Sequence, residues 1–197
     1  MQKEVYNKNV ICEIGQSLAI IHETSYNQVG FFNGSLNVTT LLPNLKSWYD
    51  MFLKENAVQK LGEKLTEDVR IYIENNNENI KRIDERVTFV HNDFRPINII
   101  VANNDKPYFI DWEGAMAGHV FGDIGQFLRF NEQITPQNEN LFIDNYNYYS
   151  KNKLPCDYKE LVKLRDLVNL LQLLNSEHDL QNKDGELIRL IRSTCSC

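Results

Sequence analysis

The stretch "FVHNDFRPINII", residues 89–100, decides how this chain reads. His91, Asn92, Asp93, Arg95 and Asn98 crowd between two apolar runs that have the composition of buried strands. A polar side chain buried without a partner costs a few kcal/mol, so such a cluster is either capped by local hydrogen bonds or built for chemistry. The apolar runs predict strands at 87–91 and 98–102. A third strand is predicted at 107–111, joined to the second by the turn "NNDKP". A hairpin with a short turn brings its two ends together, which sets Asn98 beside the start of "DWEG" at Asp111. Asn98 and Asp111 then offer two oxygens to one hard cation, with Asp93 across the same cleft. Mg²⁺ accepts such a partial set and completes its shell with phosphate and water.

Helices surround this strand cluster. Residues 9–24 place Val10, Ile14, Leu18 and Ile21 on one helical face, with Asn7 or Asn9 as the cap. His22 lies at the end of that helix and reads as a structural histidine rather than a ligand. "VGFFNGSLNVTTLLPN" has the glycines and the alternation of a loop or irregular hairpin. Helices are predicted over 45–55 and 57–75, with "ENNNEN" as a polar break before "IKRIDERV". Beyond the strands, "DIGQFLRF", "NENLFIDNYNYYS", "YKELVKLRDLVNLLQLLNSEH" and "DGELIRLIRS" each have helical periodicity. The fold class is α+β, mainly α, with no repeat or linker, so residues 1–197 read as one unit.

The 197 residues carry a formal net charge of −6 and no basic block, which argues against a nucleic acid partner. A nucleotide remains compatible, because a Mg²⁺ site brings its own positive charge. No apolar run reaches the roughly 18–20 residues of a membrane helix, and the N-terminus lacks a signal-peptide pattern, so the expected compartment is the cytoplasm. Cys12, Cys156, Cys195 and Cys197 form no zinc-type pair and read as reduced thiols.

Taken singly, the residues of the cluster have plain readings. Asp93 serves as a cap or turn residue, Asp111 closes a strand end through an Asx turn, and His91 is a satisfied core histidine. Arg95 pairs with a surface carboxylate, and His119 in "GHVFGD" lies on a loop. Jointly, they have an order. His-x-Asp-x-x-x-x-Asn, followed after a hairpin by an aspartate, is the layout of a phosphoryl-transfer loop. His91, Asp93, Pro96 and Asn98, then Ile110, Asp111, Trp112 and Glu113, then Asp123 in "GDIGQFLRF", resemble the aminoglycoside phosphotransferase family of kinase-like enzymes. "IGQSLAIIHET" is similar to the helix that opens that family's large lobe.

The resemblance implies a kinase-like large lobe in which a small strand hairpin carries the catalytic and metal loops. It implies Asp93 as catalytic base, Asn98 and Asp111 as Mg²⁺ ligands, and His91 and Asp123 as supports of the catalytic loop. Glu113 ranks lower, as a holder of a second metal or a water. The implied reaction moves the γ-phosphoryl group of ATP or GTP to a small-molecule hydroxyl on an aminoglycoside-like or amino-alcohol acceptor. The acidic stretches "NEQITPQNEN" and "SEHDLQNKDGE" read as solvated faces or as a surface for a cationic acceptor. The family's nucleotide-clamping small lobe is expected to be absent, since only a dozen or so residues precede the first matching helix. The exposed cleft face is then expected to meet a missing small lobe or a protein partner. The alternative expectation is a catalytically silent lobe acting as a binding module.

Overall fold

The computed structural model describes residues 6–129, 134–176 and 184–195. The described chain is mostly helical with two small antiparallel sheets, the α+β, mainly α class expected from the sequence. It divides into two units, one built from residues 1–42 and 86–158 and the other from 43–85 and 159–197.

The first unit opens with α1 (Lys8–Ile21), whose N-cap Asn7 accepts a hydrogen bond from the Val10 amide at 3.0 Å. α1 buries Val10, Ile11, Ile14, Gly15, Leu18 and Ala19, while Ile21 is only half-buried. That face packs on α6 (Pro136–Tyr149). A side chain on Gly15 would stand 2.6 Å from the Phe142 carbonyl, so the two helices meet at a point where only glycine fits.

The "VGFFNGSLNVTTLLPN" region forms a hairpin of β1 (Gly30–Phe32) and β2 (Val38–Leu41), its register shifting at Phe31–Phe32. With β3 (Val87–Val90) and β6 (Met116–His119) it makes a four-stranded sheet of order β2-β1-β6-β3. β4 (Ile99–Val101) and β5 (Pro107–Phe109) form a separate hairpin in which Ile100 faces Tyr108.

β6 is the element that the sequence hides. "MAGH" has low strand propensity and no alternation, because all four residues are buried between β1 and β3. His119 therefore lies on a buried central strand and not on a loop. Directly after it begins α5 (Val120–Leu128), three residues ahead of the predicted "DIGQ" start.

The second unit holds α2 (Leu45–Phe52), α3 (Glu55–Asn75), α4 (Asn77–Asp84), all but the first residue of α7 (Tyr158–Asn175), and α8 (Asp184–Cys195). α3 is kinked at Gly62, whose φ of 74° and ψ of 166° are open to glycine almost alone. α4 is tied to α2 by Asp84, which accepts the Leu45 amide at 3.1 Å. Arg165 is 1% exposed, lies over the Trp48 ring and donates to Asn169 at 2.9 Å.

Candidate active site

The catalytic-loop candidates all lie in the first unit, where β3 ends and the chain turns before entering β4. Three buried side chains hold that turn. Asp123, on the first turn of α5 and fully buried, accepts the amides of His91 and Asn92, both at 2.8 Å. Gln126, three residues further along α5, accepts the Phe94 amide at 2.7 Å and donates to the Asn92 carbonyl at 3.0 Å. Three amides and one carbonyl of the turn thus find partners on one helix face, as buried backbone groups require. Asn92 sits at φ 64°, the left-handed region, and these clamps hold it there.

His91 is the third. Its Nε2 lies 2.8 Å from the Ile110 carbonyl and its Nδ1 3.4 Å from the Asp93 amide. A carbonyl only accepts and an amide N–H only donates, so the ring carries its hydrogen on Nε2. Packing between Trp112 (centroids 4.4 Å apart) and Phe94 (5.9 Å) fixes the ring plane. His91 therefore links the Asp93 loop to the residue that precedes Asp111.

Asp123 is itself held from behind. His22 Nε2 lies 3.2 Å from Asp123 Oδ2, His22 Nδ1 lies 2.9 Å from the Tyr146 hydroxyl, and Arg86 donates to that hydroxyl at 3.4 Å. The hydrogen bonds run in one direction, from Arg86 through Tyr146 and His22 to Asp123. Burial pushes the His22 imidazole below its ordinary value against the opposing pull of Asp123, and burial raises the Tyr146 phenol. His22 is structural, as the sequence indicates.

Asp93 lies on the loop so held, half-buried. Arg95 reaches back over it as a fork, Nε to Oδ1 at 2.5 Å and Nη2 to Oδ2 at 2.6 Å. Arg95 thus pairs with a carboxylate, as the sequence suggests, and that carboxylate is the partly exposed Asp93. Asn98, buried in the 3-10 turn Pro96–Asn98, donates from Nδ2 both to the Asp93 carbonyl and to Asp93 Oδ2, each at 2.9 Å. The Asn98 carbonyl accepts the Ile110 amide at 3.0 Å, extending the β4–β5 ladder by one rung. Asp111 is the next residue, exposed and left-handed at φ 66°, ψ 56°, and its side chain caps nothing. Glu113 is exposed on the turn Trp112–Gly114 that follows. Tyr6 seals the loop's other side, its hydroxyl donating to the Pro96 carbonyl at 3.0 Å, and burial pushes that phenol up to about 12.

The donor set suits a hard cation. Both N–H groups of the Asn98 amide are engaged by Asp93, which turns Oδ1 away from that residue, and Asp111 contributes a carboxylate without a hydrogen-bond partner among the described residues. Among the described residues no three His, Cys, Asp or Glu side chains cluster into a cage. A Mg²⁺ ion needs no such cage, since a few protein oxygens and substrate phosphates hold it.

Two of the holding groups, Gln126 and the Tyr146–Arg86 pair, escape a reading of the sequence. The signal for Gln126 is its i+3 spacing from Asp123 on a helix that is buried nearly all round. Residues 131–133 and 177–183 of the two acidic stretches lie outside the described residues. Of their carboxylates, Glu139 is half-buried on α6, and Asp184 and Glu186 open α8.

A profile of the family described as "Phosphotransferase enzyme family" matches residues 2–151. Curated protein sequences yield no match. Among solved structures, the fold is similar to choline kinase LicA from Streptococcus pneumoniae, with a TM-score of 0.64 and 19% identity over 94% of this chain and 64% of that one. It is similar to a microcompartment-associated aminopropanol kinase, with a TM-score of 0.64 and 17% identity over 98% of this chain and 62% of the other. Plasmodium vivax ethanolamine kinase gives a TM-score of 0.63 and 14% identity over 98% and 60%. The chain thus spans less than two thirds of the length of these structures.

Proposed function

Because this chain belongs to the phosphotransferase enzyme family, we propose that it carries a site that moves the γ-phosphoryl group of ATP or GTP to a hydroxyl of a small amino-alcohol or aminoglycoside-like acceptor. One observation carries the reading. Asn98 spends both N–H groups on the base candidate Asp93 and turns its oxygen away from it, one ladder rung from the exposed carboxylate of Asp111.

In this reading Asn98 Oδ1 and Asp111 hold Mg²⁺, which supplies neutralisation of the charge on the transferring phosphoryl group. Asp93 receives the acceptor hydroxyl and takes its proton. His91 and Asp123 hold the loop so that base and metal ligands keep one spacing, and such positioning supplies much of the rate. Ile97, Ile100, Tyr108 and Ile110 are 76%, 52%, 50% and 40% exposed around Asn98, an apolar surface of the kind that a nucleobase covers. Kinases of choline, aminopropanol and ethanolamine share the fold, which supports an amino-alcohol as first acceptor to test. Residues 1–197 correspond in this proposal to a large lobe, and the cleft face next to Ile100 is where a small lobe or a protein partner sits. No described helix is long and apolar enough to cross a membrane, and the proposed compartment is the cytoplasm.

A second reading, a catalytically silent lobe that binds a partner, is favoured by the Arg95 fork that occupies Asp93. Turnover of Mg·ATP and Mg·GTP against a panel of amino-alcohols and amino-sugars separates the two. Phosphorylated acceptor should form and should fall about a hundredfold or more in Asp93→Asn, the usual contribution of a general base. Turnover equal in the two proteins would overturn the assignment of Asp93.

A further inference from the structure

We infer that Tyr6 is a positioning residue for the proposed metal site: its phenol holds the turn Pro96–Asn98 and so keeps Asn98 in register with Asp111. The inference rests on the phosphotransferase reading and gives a role to a residue that lies far from the loop in sequence.

The turn has little to hold it from within. A 3-10 helix of three residues closes with few bonds of poor geometry. The Ile99 amide donates back to the Pro96 carbonyl, and the Asn98 amide donates to the Arg95 carbonyl at 2.9 Å. Pro96 has no N–H to give, and Ile97 is 76% exposed. The clamp on α5 stops short of the turn, since Asp123 and Gln126 reach only the amides of His91, Asn92 and Phe94 and the Asn92 carbonyl. Tyr6 takes over where that clamp ends. Its hydroxyl donates to the Pro96 carbonyl at 3.0 Å, the same oxygen that closes the turn. A carbonyl oxygen has two lone pairs, so the two donors share it without competing.

Tyr6 serves as a fixed post because it is itself held. Its ring stacks on the buried Phe127 of α5 with centroids 6.4 Å apart, and its carbonyl accepts Asn138 Nδ2 of α6 at 3.2 Å. The next residue grips the far end of the β4–β5 hairpin. Asn7 Nδ2 donates to Asp105 Oδ1 at 3.0 Å while its own Oδ1 caps α1. Asp105 lies in the hairpin turn, left-handed at φ 62°, with its amide on the Ala102 carbonyl at 3.0 Å. Two consecutive residues thus strap both ends of the segment that runs from the Asn98 turn to the hairpin tip. The rung between the Asn98 carbonyl and the Ile110 amide carries that hold to the residue before Asp111. A shift of the turn would change the spacing of Asn98 Oδ1 and the Asp111 carboxylate, and Mg²⁺ tolerates little departure from octahedral geometry.

Tyr6→Phe tests the inference, because it keeps the ring on Phe127 and removes only the hydroxyl. In the metal-free chain, amide hydrogen exchange at Asn98 and Ile99 should quicken about threefold to tenfold, the scale of one net hydrogen bond. Exchange at His91 and Asn92, held by Asp123, should stay unchanged. Uptake of Mn²⁺ in the presence of ATP, followed by electron paramagnetic resonance, should weaken by the same factor. Tyr6→Ala, which also loses the stacked ring, should weaken it further. A merely structural role would quicken all these amides together and leave uptake by the folded chain at the wild-type level, and that result overturns the inference. Exchange at Asn98 and Ile99 equal in wild type and Tyr6→Phe overturns it too, with the phosphotransferase reading intact in either case. A wild-type chain that takes up no Mn²⁺ overturns that reading and the inference with it.

Discussion

Replacing Asp123 by alanine is the perturbation whose cost can be worked out most fully. Its carboxylate accepts the amides of His91 and Asn92 at 2.8 Å and faces His22 Nε2 at 3.2 Å, in a place with no solvent exposure. Alanine leaves both amides buried without an acceptor, at about 1–3 kcal/mol each, or roughly 2–6 kcal/mol together. The His22 N–H adds to that. Against a typical stability of about 5–15 kcal/mol, the chain should unfold at a much lower urea concentration, as followed by circular dichroism. Amide exchange at His91 and Asn92 should accelerate more than at the β1–β2 hairpin, because the loop opens before the whole unit does. Asp123→Asn keeps one acceptor oxygen and should lose about half as much. An alanine variant within about 0.5 kcal/mol of wild type, with unchanged exchange at those two amides, would refute the clamp.

Two further outcomes follow from the same packing. Burial lowers the His22 imidazole below its unfolded value of 6.5, so the unfolded chain binds the proton first and acid favours unfolding. Asp123, Tyr146 and Arg86 are the groups facing the ring. Its contribution is complete above pH 6.5 and is lost as pH falls below that point, with a slope of up to about 1.4 kcal/mol per pH unit. His22→Gln should flatten the fall of the urea midpoint as pH drops below 6.5, and an identical slope would contradict the buried neutral ring. Gly15→Ala places a methyl 2.6 Å from the Phe142 carbonyl and should destabilise the α1–α6 pair by about 1–3 kcal/mol in the same assay, whereas an unchanged midpoint would show that the helices yield freely.

Much of this arrangement is legible in the sequence because it obeys local rules. The Asn7 cap, the apolar face of α1, the polar break at Asn76 and the β4–β5 hairpin follow from capping chemistry, periodicity and turn residues. β6 is not legible, since Met116, Ala117 and Gly118 gain their strand only from partners far along the chain. Gly118 is needed because a side chain there would meet Val90 at 2.8 Å, a packing demand that leaves no local signature. The aspartates and Asn98 stand out in the sequence by their order and spacing. Their holders do not, because Gln126 and Tyr146 look like ordinary helix residues until tertiary contacts aim them. The carboxylate that Arg95 meets is hidden for the same reason, since nothing local says that it is the one two residues back.

The central claim, that Asn98 and Asp111 hold a divalent cation for a triphosphate beside Asp93, is tested most directly with Mn²⁺ in place of Mg²⁺. Electron paramagnetic resonance of free Mn²⁺, titrated with the chain in the presence of ATP, reports how much metal is taken up. Uptake by the wild-type chain, weakened in Asn98→Ala and in Asp111→Ala and kept in Glu113→Ala, is the predicted result. Equal uptake by wild type and by both ligand variants would contradict it.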